Sequence, residues 1–183
     1  MSNNERQTEQ QKRRSNIAAV ALSGVTAALV FAATIISVPV GTGNLNMGDG
    51  MILLCAYIMG PIVLFPAAIG SALADLALGY NIWIPATFVI KGLLGLVAAL
   101  ILRKDPVSVA RKTIAFLTAE LIMVGGYFLY EWPINGLAVA AVQVVPNLVQ
   151  GAVAIAVAFV LTMLLKGLRS RVSILIKANR RDS

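Results

Sequence analysis

No histidine occurs in this 183-residue chain, and there is a single cysteine, Cys55. The first absence removes the commonest general base, the commonest metal ligand and the side chain that switches near neutral pH. The second rules out an intramolecular disulfide. Charge is scarce as well. Only 13% of residues are charged, whereas a soluble domain carries about a quarter. No Gly-x-x-x-x-Gly-Lys-Ser/Thr loop is present, so the chain is not its own ATP motor. No nucleophile stands beside a base and no metal-ligand cluster is visible, so neither an enzyme nor a cofactor of the chain's own is expected.

What is there is apolar: 58% of the residues are hydrophobic. A bilayer core of roughly 30 Å needs about 20 such residues per helical crossing, so the length suits six spans in one domain. Residues 17–38 form the first predicted span, stopped by Val38-Pro39 and Gly41-Thr42-Gly43-Asn44. A short run, 50–59, ends at Gly60-Pro61, and a third covers 62–79 up to Gly79-Tyr80-Asn81. The fourth, 85–102, stops at Arg103-Lys104-Asp105-Pro106; the fifth is 113–130, before Glu131-Trp132-Pro133; the sixth is 144–165. The expected fold is an all-α membrane protein, a bundle of six transmembrane helices. Strands are not expected, because open sheet edges cannot face lipid and no alternating barrel pattern repeats. The second run is too short to cross alone unless the preceding loop extends it or the bilayer thins.

The net charge of +7 would suggest nucleic acid in a soluble protein. Here the positions of the basic residues matter more than their sum. With six spans and the N-terminus inside, fourteen of the fifteen fall on the cytoplasmic side and the fifteenth, Lys91, lies within a span. Both termini are therefore expected in the cytoplasm of a multi-pass cell-membrane protein. Residues 1–16 read as a polar tail, 17–168 as the transmembrane domain and 169–183 as a basic tail.

The outer ends carry different chemistry. Asn44, Asn46 and Asp49 lie in the first outer loop, Tyr80, Asn81 and Trp83 in the second, and Tyr130, Glu131, Trp132, Asn135 and Gln143 in the third. Tyr127 and Glu131 are four apart, and Gln143, Asn147 and Gln150 are four and three apart, so each set shares a helix face. One reading is an interfacial aromatic belt, which would place aromatics at both faces; the inner ends are expected to lack them. The other is a cup whose rings and amides suit a small heteroaromatic or polyhydroxy ligand. Interhelical hydrogen bonding by the Gln/Asn stripe is also open.

Intramembrane charge is expensive, about 2.5–3.5 kcal/mol per central residue on insertion scales. Asp75 and Lys91 lie at similar depths on consecutive antiparallel spans, so an Asp75–Lys91 ion pair is expected, with direct ligand contact by Lys91 as the alternative. Glu120 lies deeper and has no assigned role. On the first span Gly24, Ala28 and Ala32 recur every fourth residue. Such a stripe serves either internal packing or docking of a second membrane subunit.

The run Asn46-Met47-Gly48-Asp49-Gly50, then Gly60-Pro61, Ile69 through Asp75, Gly79-Tyr80, Pro85-Ala86-Thr87 and Ile90-Lys91-Gly92 resembles the S components of energy-coupling factor (ECF) transporters, in the riboflavin and hydroxymethylpyrimidine-type branch. It covers about residues 39–95. Similar proteins tend to have glycine where this chain has Leu64 and Ala68, and Pro66 interrupts here. The resemblance implies a six-helix substrate-capture subunit for a small water-soluble vitamin or precursor, of the hydroxymethylpyrimidine or pyridoxine type. Riboflavin is the nearest alternative, and pantothenate would use Lys91 against its carboxylate. It further implies a transmembrane coupling protein (EcfT-type) and two cytoplasmic ATPase subunits (EcfA-type) that hydrolyse the ATP. Gly24, Ala28 and Ala32 would be the docking face. The family's pocket lies near the outer surface, which implicates Asn44, Asn46 and Trp83, then Lys91, Tyr127 and Glu131, and finally Asn135, Gln143 and Asn147. A stand-alone transporter, proton-coupled through Asp75, Lys91 or Glu120, is the competing expectation.

Overall fold

A computed structural model describes residues 3–40, 43–104 and 106–177. Gly41, Thr42, Asp105, the first two residues of the polar tail and the last six of the basic tail, Arg180 and Arg181 among them, lie outside the described residues. The helices are α1 (Asn3–Ile35), α2 (Gly48–Met59), α3 (Leu64–Leu78), α4 (Ile84–Ile101), α5 (Val109–Asn135), α6 (Leu137–Leu164) and α7 (Lys166–Lys177). Five helical segments are long and apolar enough to cross a membrane: Asn16–Ile35, Gly48–Leu78, Asn81–Ile101, Val109–Asn135 and Leu137–Leu164. Their outward faces carry exposed Phe65, Leu73, Leu121, Val142, Val160 and Leu164. Soluble monomers rarely expose apolar surface on this scale. The chain is an all-α membrane protein.

The second of those segments does not run straight. Gly60, at φ 70°, reverses it, a conformation that glycine reaches without the Cβ penalty. Asp49, at the start of α2, meets Lys91, the eighth of the eighteen residues of α4. Tyr57, near the end of α2, shares Arg169 with Leu102 at the end of α4. So α2 runs parallel to α4. α3 runs back: Leu64 and Ala68 lie against Gly92, and Asp75 reaches the level of Thr87. The described residues thus form six apolar legs. Pro66 falls in the first turn of α3, where its missing N–H removes no α-helical bond.

α2 is the central helix, buried along nearly its whole length. Twelve residues span about 18 Å, short of a full crossing. The missing length is supplied from above by a two-stranded antiparallel hairpin, β1 (Ser37–Val40) on β2 (Gly43–Asn46), with Val38 opposite Leu45 and Pro39 opposite Asn44. Strands were not expected anywhere. This pair is tolerated because groups on its edges are answered by protein: the Asn46 N–H donates to Gln150 Oε1 at 3.1 Å, and the Gln143 amide donates to Val40 O at 3.3 Å.

Other boundaries shift. α1 continues through the polar tail from Asn3, and the basic tail begins as the amphipathic α7. The outer connection expected between spans five and six shrinks to Gly136 at φ 86°, so Glu131, Trp132 and Asn135 close α5 while Gln143 sits inside α6. Ser108 caps α5 by accepting from the Arg111 N–H at 3.2 Å, as an N-cap serine should.

At the end of the bundle opposite the hairpin, basic residues tie the helices together. Arg169 of α7 donates to the Tyr57 carbonyl at 2.9 Å and to the Leu102 carbonyl at 2.8 Å. These are last-turn acceptors of α2 and α4, which a cation satisfies well. The Tyr57 ring lies between Arg169, 4.6 Å from its centroid, and the Lys112 ammonium, 4.5 Å away. An aromatic therefore does occupy this end, contrary to expectation, but as the partner of two cations. Arg169→Ala is expected to destabilise the protein by about 1.5–3 kcal/mol. Arg169→Lys should recover less than half of that, since one ammonium cannot fork to both carbonyls. Thermal unfolding of purified protein in detergent checks both values.

Candidate functional site

Below the hairpin lies a cavity with about 530 Å³ of empty space, its mouth included. Every leg except α2 contributes a side chain to its wall. α1 supplies Thr34, the hairpin Asn44 and Asn46, and α3 Asp75. Tyr80, Trp83, Thr87 and Lys91 come from α4 and the turn before it, Tyr127 and Glu131 from α5, and Gln143, Asn147 and Gln150 from α6.

The floor is polar and tightly bonded. Lys91 Nζ donates to Asp49 Oδ1 at 2.5 Å, with both side chains almost fully buried. Gln150 Nε2 donates to the other oxygen, Oδ2, at 2.6 Å. Gln150 Oε1 in turn accepts the Asn46 N–H at 3.1 Å, and Asn46 Oδ1 accepts the Gly48 N–H at 2.9 Å. One chain of bonds therefore runs from α4 through α2 and α6 into the hairpin. Buried polar groups survive in an apolar bundle only when they are satisfied in this way. Glycine on both sides of Asp49 makes the arrangement possible: a Cβ at Gly48 would collide with Thr34, and one at Gly50 would press on Val157 of α6.

The side wall is aromatic. Trp83 sits edge-on to Tyr127, with centroids 6.1 Å apart, and tilted against Tyr130 at 5.5 Å. Tyr130 is anchored by donating to the Ile82 carbonyl at 2.6 Å, and the Tyr127 hydroxyl lies 2.9 Å from Thr87 Oγ1. Lys91 Nζ is 5.3 Å from the Tyr127 ring centroid, within cation–π range.

Of the residues put forward from the sequence, Asn44, Asn46, Trp83 and Lys91 face this cavity, as do Tyr127, Glu131, Gln143 and Asn147. Asn135 does not. It is exposed at the end of α5, where its amide donates to Glu131 Oε1 at 3.3 Å. The expected Asp75–Lys91 pair is also corrected: the ion pair is Lys91–Asp49, because α2 places Asp49 between α4 and α6 at the depth of Lys91. Thr34 was missed, and its hydroxyl gave no signal, being bonded to the Val30 carbonyl of its own helix. Thr87 could have been found, since it stands one turn from Lys91 on the same face.

Gly24, Ala28 and Ala32 are all exposed on α1, and a Cβ on Gly24 would meet nothing within 4 Å. The stripe therefore plays no part in packing this chain. Glu120 is buried on α5 against Gly151 of α6, and neither of its carboxylate oxygens has a hydrogen-bond partner among the described residues.

A family profile described as "ECF-type riboflavin transporter, S component" matches residues 14–167. A protein of Pyrococcus woesei, named "Uncharacterized protein in gap 3'region", is 34% identical over 116 residues, which are 63% of this chain and 77% of that protein.

Proposed function

Since this chain belongs to the family of S components of ECF-type riboflavin transporters, we propose that the cavity under the hairpin captures a small water-soluble vitamin or precursor from outside the cell. The observation that supports this most is the concentration of rings, amides and carboxylates around one cavity in an otherwise apolar bundle, at the end opposite the basic residues. By the bias of cytoplasmic loops toward Lys and Arg, the hairpin end faces outward and both termini lie inside. Labelling of single cysteines introduced at Asn135 and Ser170 checks this; an Asn135 site reached only from the cytosol would put the cavity in the wrong compartment.

Planar heterocycles fit the Trp83–Tyr127 wall, so riboflavin and the hydroxymethylpyrimidine or pyridoxine type are the ligand chemistries proposed. Pantothenate loses its rationale, because Lys91 is already engaged by Asp49. Mass spectrometry of what co-purifies with the protein, joined to a thermal-shift panel of these four compounds, is the direct test. A bound vitamin and a stabilising shift are expected. Retained lipid alone with no shift would sink the capture reading.

The exposed α1 stripe is proposed as the contact for an EcfT-type coupling protein working with two EcfA-type ATPases. Ala28→Trp is expected to abolish co-purification with those subunits while leaving ligand affinity within about twofold, since surface changes move stability little. Normal yield of the complex from Ala28→Trp would remove the stripe from the interface. Glu120 favours a second reading, stand-alone proton-coupled transport, because a buried carboxylate without a partner is a natural proton carrier. Uptake that persists in vesicles lacking the ATPase subunits would select it.

A further inference from the structure

Asp75 is an acid of this cavity that Thr87 and the charge of Lys91 compensate only in part. It stands on α3 one turn before Gly79, is 8% exposed, and lines the cavity beside Thr87. Its Oδ2 is fully buried and has no hydrogen-bond partner among the described residues. The charge of Lys91 favours the carboxylate from a distance, but the ammonium makes its ion pair with Asp49 and not with Asp75. Glu131, the other lining carboxylate, differs in accepting from Asn135. The wall therefore carries an acceptor without a donor, on a residue that lines the cavity together with Trp83 and Tyr127. A buried acceptor demands a donor, and a ligand seated in the cavity can supply one.

We propose that Asp75 Oδ2 reads the N–H edge of a planar nitrogen heterocycle seated against Trp83 and Tyr127, either a ring imide N–H or an exocyclic amino group. This rests on the capture reading and narrows it. The ligand must present a donor at its edge, and an anionic group cannot take that position beside a carboxylate. Asp75 is thus the specificity residue of the cavity, while the Asp49–Lys91–Gln150 network beneath it is framework.

Matched ligand pairs test this with the full chain in detergent or nanodiscs. Calorimetric titration would compare riboflavin with 3-methylriboflavin, and 4-amino-5-hydroxymethyl-2-methylpyrimidine with its 4-dimethylamino analogue. Whichever heterocycle the wild-type protein accepts, its N–H form should bind roughly tenfold to a hundredfold more tightly than the methylated form, the range for one hydrogen bond to a charged group. Asp75→Ala should lower the N–H form to the level of the methylated one and leave the methylated one unchanged. Asp75→Asn, which keeps a carbonyl acceptor and nearly the same shape, should fall between and serves as the folding control. A preference that survives Asp75→Ala overturns the proposal, as does an equal loss for both members of a pair with Asp75→Asn still folded. Wild-type protein that binds only pantothenate or pyridoxine, neither of which carries a ring imide or exocyclic amino N–H, would leave capture standing and remove Asp75 as the reader. Wild-type protein that binds none of these compounds would remove both.

Discussion

Lys91→Met is expected to destabilise the protein by about 3–5 kcal/mol, the range for breaking a buried ion pair by removing one partner. Asp49 would remain fully buried with only the Gln150 amide on its far oxygen. The ammonium does more than neutralise it, because the pair fastens α4 to the start of α2, below the hairpin. From there the bonds continue through Gln150 to the hairpin. Loss of Lys91 should therefore loosen the roof of the cavity as well as the floor, lowering ligand affinity without any direct contact being required. The double variant Asp49→Asn/Lys91→Met removes both charges and should regain most of the lost stability. Thermal unfolding of the single and double variants in detergent decides the matter. If the double variant is no more stable than Lys91→Met, an uncompensated Asp49 is not the source of the loss.

The second large effect concerns Gly70. A Cβ built there lies 2.5 Å from the Ala27 carbonyl oxygen of α1 and 3.0 Å from Val30 Cβ. The obstruction is backbone, which cannot swing aside as a long side chain could. Gly70→Ala is expected to lose about 1–3 kcal/mol, the usual range for overpacking. Gly70→Leu should prevent α1 from closing on α3 and abolish the monodisperse peak on size-exclusion chromatography. Gly24→Leu is the control, since nothing stands within 4 Å of its Cβ; its melting temperature should stay at the wild-type value. Equal stability of Gly70→Leu and wild type would mean that α1 does not pack where it is placed here. The pair of variants also separates two roles that the sequence leaves joined. The small residue on which packing depends is Gly70 of α3, whereas Gly24, Ala28 and Ala32 look outward from α1.

The legible parts of the site were those encoded by short-range spacing. Tyr127 with Glu131, and Gln143 with Asn147 and Gln150, share faces because an α-helix repeats every 3.6 residues, and the cavity contains all five. Trp83 was visible as a ring beside a turn. Asn135, put forward from its place in the third outer loop, does not line the cavity: α5 continues to it and leaves it exposed at the helix end, one turn beyond Glu131. The partner of Lys91 failed for a different reason. Asp75 matches Lys91 in depth and Asp49 reads as part of the first outer loop, and no local pattern says which helix fills the centre of the bundle.

Sequence alone determined what one-dimensional solvation can determine: that the chain lives in a bilayer as apolar helices, and at which end its cations and its amides gather. Each of these follows from the transfer energy of a segment or a side chain, which does not depend on its neighbours. Only the tertiary structure decided that α2 is the buried axis, that a hairpin completes its short crossing, and that Lys91 belongs to Asp49, 42 residues away, and not to Asp75. Those outcomes depend on which helices touch. In a lipid-like surround that is set by close packing and by the pairing of polar groups across the chain, quantities that no stretch of residues carries by itself.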